Sequence, residues 1–132
     1  MCIWSELKDG IVFTKVANDI DFDLVSNKVR SSDTLIESTG IYAELIDLSE
    51  CDSVDLNSNE MVKLTGLIED AFEKFEKSFV AVYAPNDYVY GITSMMQNYA
   101  VLNDSSARVE TFRDKEKALN WLEHCVSLAK SL

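Results

Sequence analysis

Phe79-Val80-Ala81-Val82-Tyr83 is an almost unbroken apolar run, ended by Ala84-Pro85-Asn86-Asp87. A run of this length without polar alternation predicts a strand buried on both faces, as in the inner strands of a mainly parallel sheet. Pro85 cannot donate to a sheet ladder and biases Ala84 to extended geometry, while Asn86 and Asp87 can cap a helix. The order strand, turn, helix follows. Val109, Thr111 and Phe112 suggest a second strand, and Asp114 starts a helix with Ala118, Trp121, Leu122 and Cys125 on its apolar face. Strands alternating with amphipathic helices specify an α/β architecture.

The earlier part of the chain extends this plan. Ile3 to Leu7 and Ile11 to Val16 are β-prone and flank Lys8-Asp9-Gly10, and Asp-Gly between two such runs predicts an antiparallel hairpin. Asn18 to Asp21 offers caps for a helix carrying Phe22, Val25 and Val29, which ends near Ser31-Ser32-Asp33. Leu35 and Ile36 are expected to tie the next connection to the core, and Gly40 turns the chain into an inner strand over Ile41 to Leu48. Ser49 to Ser58 is polar and reads as a loop, and Asn57 with Glu60 makes a capping box, with Ser58 as an alternative cap. The helix that follows places Met61, Leu64, Leu67, Ile68, Ala71, Phe72 and Phe75 at steps of three and four. The helix after Asn86 is ended by Asn103-Asp104-Ser105-Ser106. The expected fold is a single α/β domain over residues 1–132, with a mixed sheet that is mainly parallel after an N-terminal antiparallel hairpin and packs with about four helices.

Charge limits the partners. A formal net charge of −11 argues against a nucleic-acid backbone or an anionic membrane surface, both of which need cations to displace counterions. A basic partner or simple solubility fits better. No apolar run approaches the roughly 20 residues of a membrane span, and the start of the chain lacks the pattern of a secretory signal. Cys2, Cys51 and Cys125 are widely spaced with only His124 as an imidazole, so no metal site is expected and reduced thiols in a cytoplasmic protein are the simplest reading.

Candidate functional residues are few. His124 falls on the polar side of the last helix without an identifiable partner, and Cys51 and Ser53 would need an activating base. Asp47, Glu50, Asp52 and Asp55 gather after a strand and read as a solvated acidic loop rather than a cation site. Gly91, inside a helical pattern, suggests close helix packing. Tyr88, Tyr90, Met95, Met96 and Tyr99 cannot all share one helix face, which leaves an aromatic and methionine patch for a subunit contact or for a small apolar ligand in a cavity beside the helix at 88–102.

A family resemblance accompanies these features. Ala81-Val82-Tyr83-Ala84-Pro85-Asn86-Asp87, Tyr90-Gly91, Met95-Met96 and the segment from Arg108 to Leu122 look like the second half of small bacterial STAS-like proteins. Those proteins resemble the cytoplasmic domain of sulfate transporters and the anti-sigma-factor antagonists, and their fold is similar to lipid-transfer domains of the CRAL-TRIO type. The resemblance implies a non-enzymatic regulatory or protein-interaction domain, expected as a homodimer and without a cofactor; the alternative is a carrier or sensor of a small, lipid-like apolar ligand. In the antagonist branch a serine at a helix start, in an Asp-Ser-Ser-Gly type motif after Asp-Leu-Ser, is phosphorylated. Asp47-Leu48-Ser49 is present here, but the helix start reads Val54-Asp55-Leu56-Asn57-Ser58-Asn59-Glu60 without the glycine. Ser58 is therefore the phosphorylation candidate that the resemblance implies.

Overall fold

A computed structural model describes residues 3–31, 40–73, 75–102 and 107–131. The expected contributions of Leu35 and Ile36, and the break at Asn103 to Ser106, lie outside these residues. The chain opens with an antiparallel hairpin, β1 (Ile3–Lys8) and β2 (Ile11–Asp21). Its turn places both Asp9 and Gly10 at positive φ, 54° and 81°, the backbone that a tight two-residue hairpin turn needs. Helix α1 (Phe22–Ser31) follows directly, with the Asp21 carboxylate accepting from the Leu24 N–H at 2.8 Å. Then come β3 (Ile41–Asp55), α2 (Ser58–Phe72), β4 (Lys77–Tyr83), α3 (Asp87–Leu102), β5 (Ala107–Phe112) and α4 (Lys115–Lys130).

Strand order in the sheet is the order in the chain, β1-β2-β3-β4-β5, and every pairing after the first hairpin is parallel. Successive crossovers of one hand between adjacent strands deliver their helices to the same side. Residues of α1, α2 and α3 accordingly share one core with Val12, Val16, Tyr42, Val80 and Val82. Among the described residues α4 alone covers the opposite side, where Ala118, Leu122 and Cys125 meet Ile11, Ala43, Leu45, Phe79 and Ala81. The alternation along β4 is thus visible in two cores, and every residue from Ser78 to Val82 is buried.

Caps form where side-chain chemistry allows. Asn57 and Glu60 make the reciprocal capping box on α2, Asn86 accepts from the N–H groups of Tyr88 and Val89, and Asp114 accepts from those of Glu116 and Lys117.

Two local expectations are corrected. Ser49 to Ser58 is not a loop: β3 continues to Asp55, paired with β2 alone beyond Asp47, the last of its residues that pairs with β4. Register shifts at Lys15/Ala17 and Asn18/Asp19, with Asn18 at φ 67°, bend this two-stranded extension, so its interior positions follow no simple alternation. Gly91 does not serve close packing either, since a Cβ built there meets nothing within 4 Å. Its helical backbone suits alanine. Gly91→Ala should therefore raise stability by about 0.5–1 kcal/mol in urea or thermal unfolding, through reduced entropy of the unfolded chain.

Candidate functional site

Between the sheet and the layer of α1, α2 and α3 lies a cavity of about 170 Å³. Val16, Ile46, Val80 and Val82 form its floor, Leu24 and Val25 close the α1 side, Ile68 and Phe72 the α2 side, and Ile20 and Val54 of the strand extension one end. The walls are almost wholly apolar. The extension creates this end because the bend carries Ile20, Cys51 and Val54 back into the core shared by the three helices.

One fully buried carboxylate sits inside this apolar surround. Glu44, at the centre of β3, is 2% exposed and faces the cavity. Its Oε1 accepts from the Tyr42 hydroxyl at 2.8 Å, and its Oε2 accepts from Thr14 at 2.5 Å and from the Lys28 ammonium at 2.6 Å. Thr14 is in turn hydrogen-bonded to Ser5 at 2.7 Å. Burying an ion is costly unless its lone pairs are met, and here three donors from two strands and α1 meet them. The network fixes β1, β2, β3 and α1 against one another. Signals for it in the sequence were slight: an acid between Ala43 and Leu45 in an inner strand, and a threonine at an inward position of β2.

On the other side of the sheet, Asp47 is buried beside α4 rather than solvated, which corrects the reading of Asp47, Glu50, Asp52 and Asp55 as a loop. Its carboxylate accepts from the Ser49 N–H at 2.9 Å and pairs with Lys115 at 3.2 Å. Burial pushes its pKa up, but the hydrogen bonds from Ser49 and the Lys115 ammonium outweigh that effect and hold it below the ordinary carboxylate value. Glu50 pairs with Lys15 on the surface. Among the described residues no group of three or more His, Cys, Asp or Glu could hold a metal ion. Nor does the sheet offer a strand-end crevice, because sequential strand order contains no point where the winding reverses.

The other candidates do not converge. Cys51 is buried in the three-helix core, its thiol facing the Ser53 carbonyl at 3.3 Å and its pKa raised chiefly by burial, so it remains a protonated thiol. Ser53 donates to Asp19 at 2.7 Å. His124 is exposed on α4, across the sheet from Cys51. Ser58 is exposed in the first turn of α2, next to the capping Asn57.

Tyr88 and Tyr90 leave α3 in different directions: the Tyr88 hydroxyl donates to the Val54 carbonyl at 3.3 Å, while the Tyr90 ring lies under the Arg113 guanidinium, 5.1 Å from its centroid. Arg113 also pairs with Asp87. Met95 is exposed, and the side chains of Met96 and Tyr99 lie outside the described part of the structure. The cavity does adjoin α3, but among the described side chains of that helix Thr93 and Gln97 line it, rather than Tyr88, Tyr90 and Met95. Gln97 is tied to β5, its side-chain oxygen accepting from the Thr111 N–H and hydroxyl, each at 3.0 Å.

The architecture has counterparts among solved structures. An uncharacterised protein of the DUF3478 family from Shewanella loihica PV-4, described as having a SpoIIAA-like fold, is similar with a TM-score of 0.54 and 21% identity over 91% of each chain. The anti-sigma factor antagonist SpoIIAA in its unphosphorylated form gives a TM-score of 0.46 and 9% identity, over 92% of this chain and 97% of that one. No family model and no curated protein matches the sequence. The first of these likenesses establishes a SpoIIAA-like fold.

Two outcomes follow from the buried charges. Lys28→Met removes the ammonium from a carboxylate that stays buried and should cost about 3 kcal/mol, at the low end for broken buried pairs because Lys28 is 13% exposed; adding Glu44→Leu should recover part of it, as read by urea unfolding. For Asp47 the folded-state pKa is depressed, so the unfolded chain binds the proton more readily and stability rises with pH through that window. Its contribution is complete above the ordinary carboxylate range and is lost as pH falls through the lowered value. The stability difference between the parent protein and Asp47→Asn should shrink accordingly in unfolding curves taken from neutral to acid pH.

Proposed function

We propose that this chain is a STAS-like recognition domain without bond-making chemistry of its own, and that the cavity beneath α1, α2 and α3 receives a small, mainly apolar molecule. The cavity itself carries this reading. An apolar void of about 150 Å³ is large enough to take up benzene, and the cavity here is of that order at about 170 Å³. Its natural occupant is then ring-sized, or the end of something longer. The scattered positions of Cys51, Ser53, His124 and Asp47 support recognition over catalysis, which needs nucleophile, base and orienting group within hydrogen-bond reach.

Protein purified from its own host and examined by native mass spectrometry is expected to retain a ligand, and added toluene is expected to raise the Tm. Leu24→Trp, which fills the space from the α1 wall, should remove that rise. A clean apo mass together with no response to toluene would falsify the reading.

A protein partner, with self-association as its simplest form, is the second reading. It is favoured by the edge of β1, which among the described residues pairs with β2 alone and exposes Trp4 and Leu7. A bare edge strand with apolar side chains is a template for another strand. Sedimentation should then show a dimer that Leu7→Lys weakens; a monomer mass that does not change with concentration sinks this reading.

A further inference from the structure

The two edges of the sheet are not alike. On β5 the Thr111 N–H is taken by the Gln97 side chain of α3 at 3.0 Å, whereas no described residue pairs with the outer edge of β1. The hairpin turn decides which groups of β1 face that edge. With Asp9 and Gly10 both at positive φ, the flanking Lys8 and Ile11 bond to each other. Bonded and non-bonded pairs alternate along an antiparallel ladder, so Lys8, Glu6 and Trp4 direct their N–H and C=O groups to β2, and Leu7, Ser5 and Ile3 direct theirs outward. Side chains sort by the same alternation. Ile3 packs on the core of α1, α2 and α3 and Ser5 bonds Thr14 there, while Trp4, Glu6 and Lys8 line an open groove with Phe13 on the α4 side.

We infer that a second copy of this chain covers that edge, the two β1 strands pairing antiparallel about a two-fold axis at Ser5 to form one continuous sheet of twice the width. The inference rests on the self-association reading above and adds the register to it. In this register β1 is its own complement. Ile3 meets the partner's Leu7 and Ser5 the partner's Ser5, so all three outward residues exchange N–H and C=O bonds and the two apolar side chains pack on each other. On the α4 side Trp4 lies opposite the partner's Glu6, whose carboxylate can accept from the indole N–H, and diagonal to the partner's Trp4. Trp4 and Leu7, 52% and 48% exposed in the single chain, are thereby covered. Neighbouring registers are worse. An axis at Glu6 sets two carboxylates directly opposite each other and Ile3 against the turn, and an axis at Trp4 carries Leu7 beyond the first residue of the strand.

Sedimentation equilibrium of the full chain should show the mass rising with concentration from one chain toward two. Emission from Trp4, isolated by Trp121→Phe, should shift to the blue in step as the ring leaves water. Ser5→Pro deletes an N–H that the hairpin does not use and should weaken the dimer about tenfold or more, with unfolding curves showing that the variant is folded. Two cysteine variants in a Cys2→Ser background then read the register. Ser5→Cys should form a disulfide-linked dimer on oxidation, since residues of a bonded pair stand about 5.5 Å apart at Cα, within the disulfide range. Glu6→Cys, about 7 Å or more from its own copy on the diagonal, should stay unlinked. A dimer that a folded Ser5→Pro leaves unchanged, or one in which Glu6→Cys links and Ser5→Cys does not, overturns the Ser5 register while self-association stands. If Ser5→Pro does not fold, the cysteine pair decides alone. A single-chain mass at every concentration removes both readings.

Discussion

The sheet has an inner strand that admits water on neither face, and the rest of the molecule follows from covering it. Phe79 and Ala81 face the α4 core while Val80 and Val82 face the core of α1, α2 and α3. Burying a side chain of this size contributes about 1.5–3 kcal/mol, so exposing either row would remove a large part of a domain's net stability. Because the strands run in chain order, three helices fall on one side and one on the other. Four helices divided three to one cannot cover the two faces equally. The single helix α4 leaves Trp4 at the far edge exposed, and the three-helix layer leaves a cavity against the sheet.

The cavity beneath the three helices lies beside Glu44, a buried carboxylate of the inner strand β3. Glu44 is tolerated because its neighbours were recruited from three elements, Tyr42 from its own strand, Thr14 from β2 and Lys28 from α1. Such a network is more directional than apolar packing: each donor must arrive at one distance and angle, so the register of β2 on β3 and the rotation of α1 are specified together. The cavity thus combines an apolar floor with a rigid polar corner.

Much of the fold was legible in the sequence. The hairpin at Asp9-Gly10, the capping box of Asn57 and Glu60, the double-covered strand through Phe79 and the apolar face of α4 are local signals, each set by backbone preference or by periodicity over a few residues. The strand extension through Asp55 was not legible. Its polar residues have no strand pattern of their own, and it exists because β2 runs past its bulges and offers a partner. Pairing across 34 residues, as between Asp19 and Ser53, leaves no trace in a local window. Gly91 misled for the opposite reason: a glycine within a helix suggests a neighbour, yet none approaches.

The sequence by itself determined the class of the fold, the number and order of its helices and the absence of a contiguous catalytic motif, because periodicity, caps and turns act between residues close in the chain. Only the tertiary structure decided where the polar side chains meet. Thr14, Lys28, Glu44 and Glu69 come from four separate elements, and their union around one cavity depends on strand order and helix placement rather than on any spacing along the chain. The physical reason is that a buried charge is satisfied in three dimensions, by whichever donors the packing brings within reach.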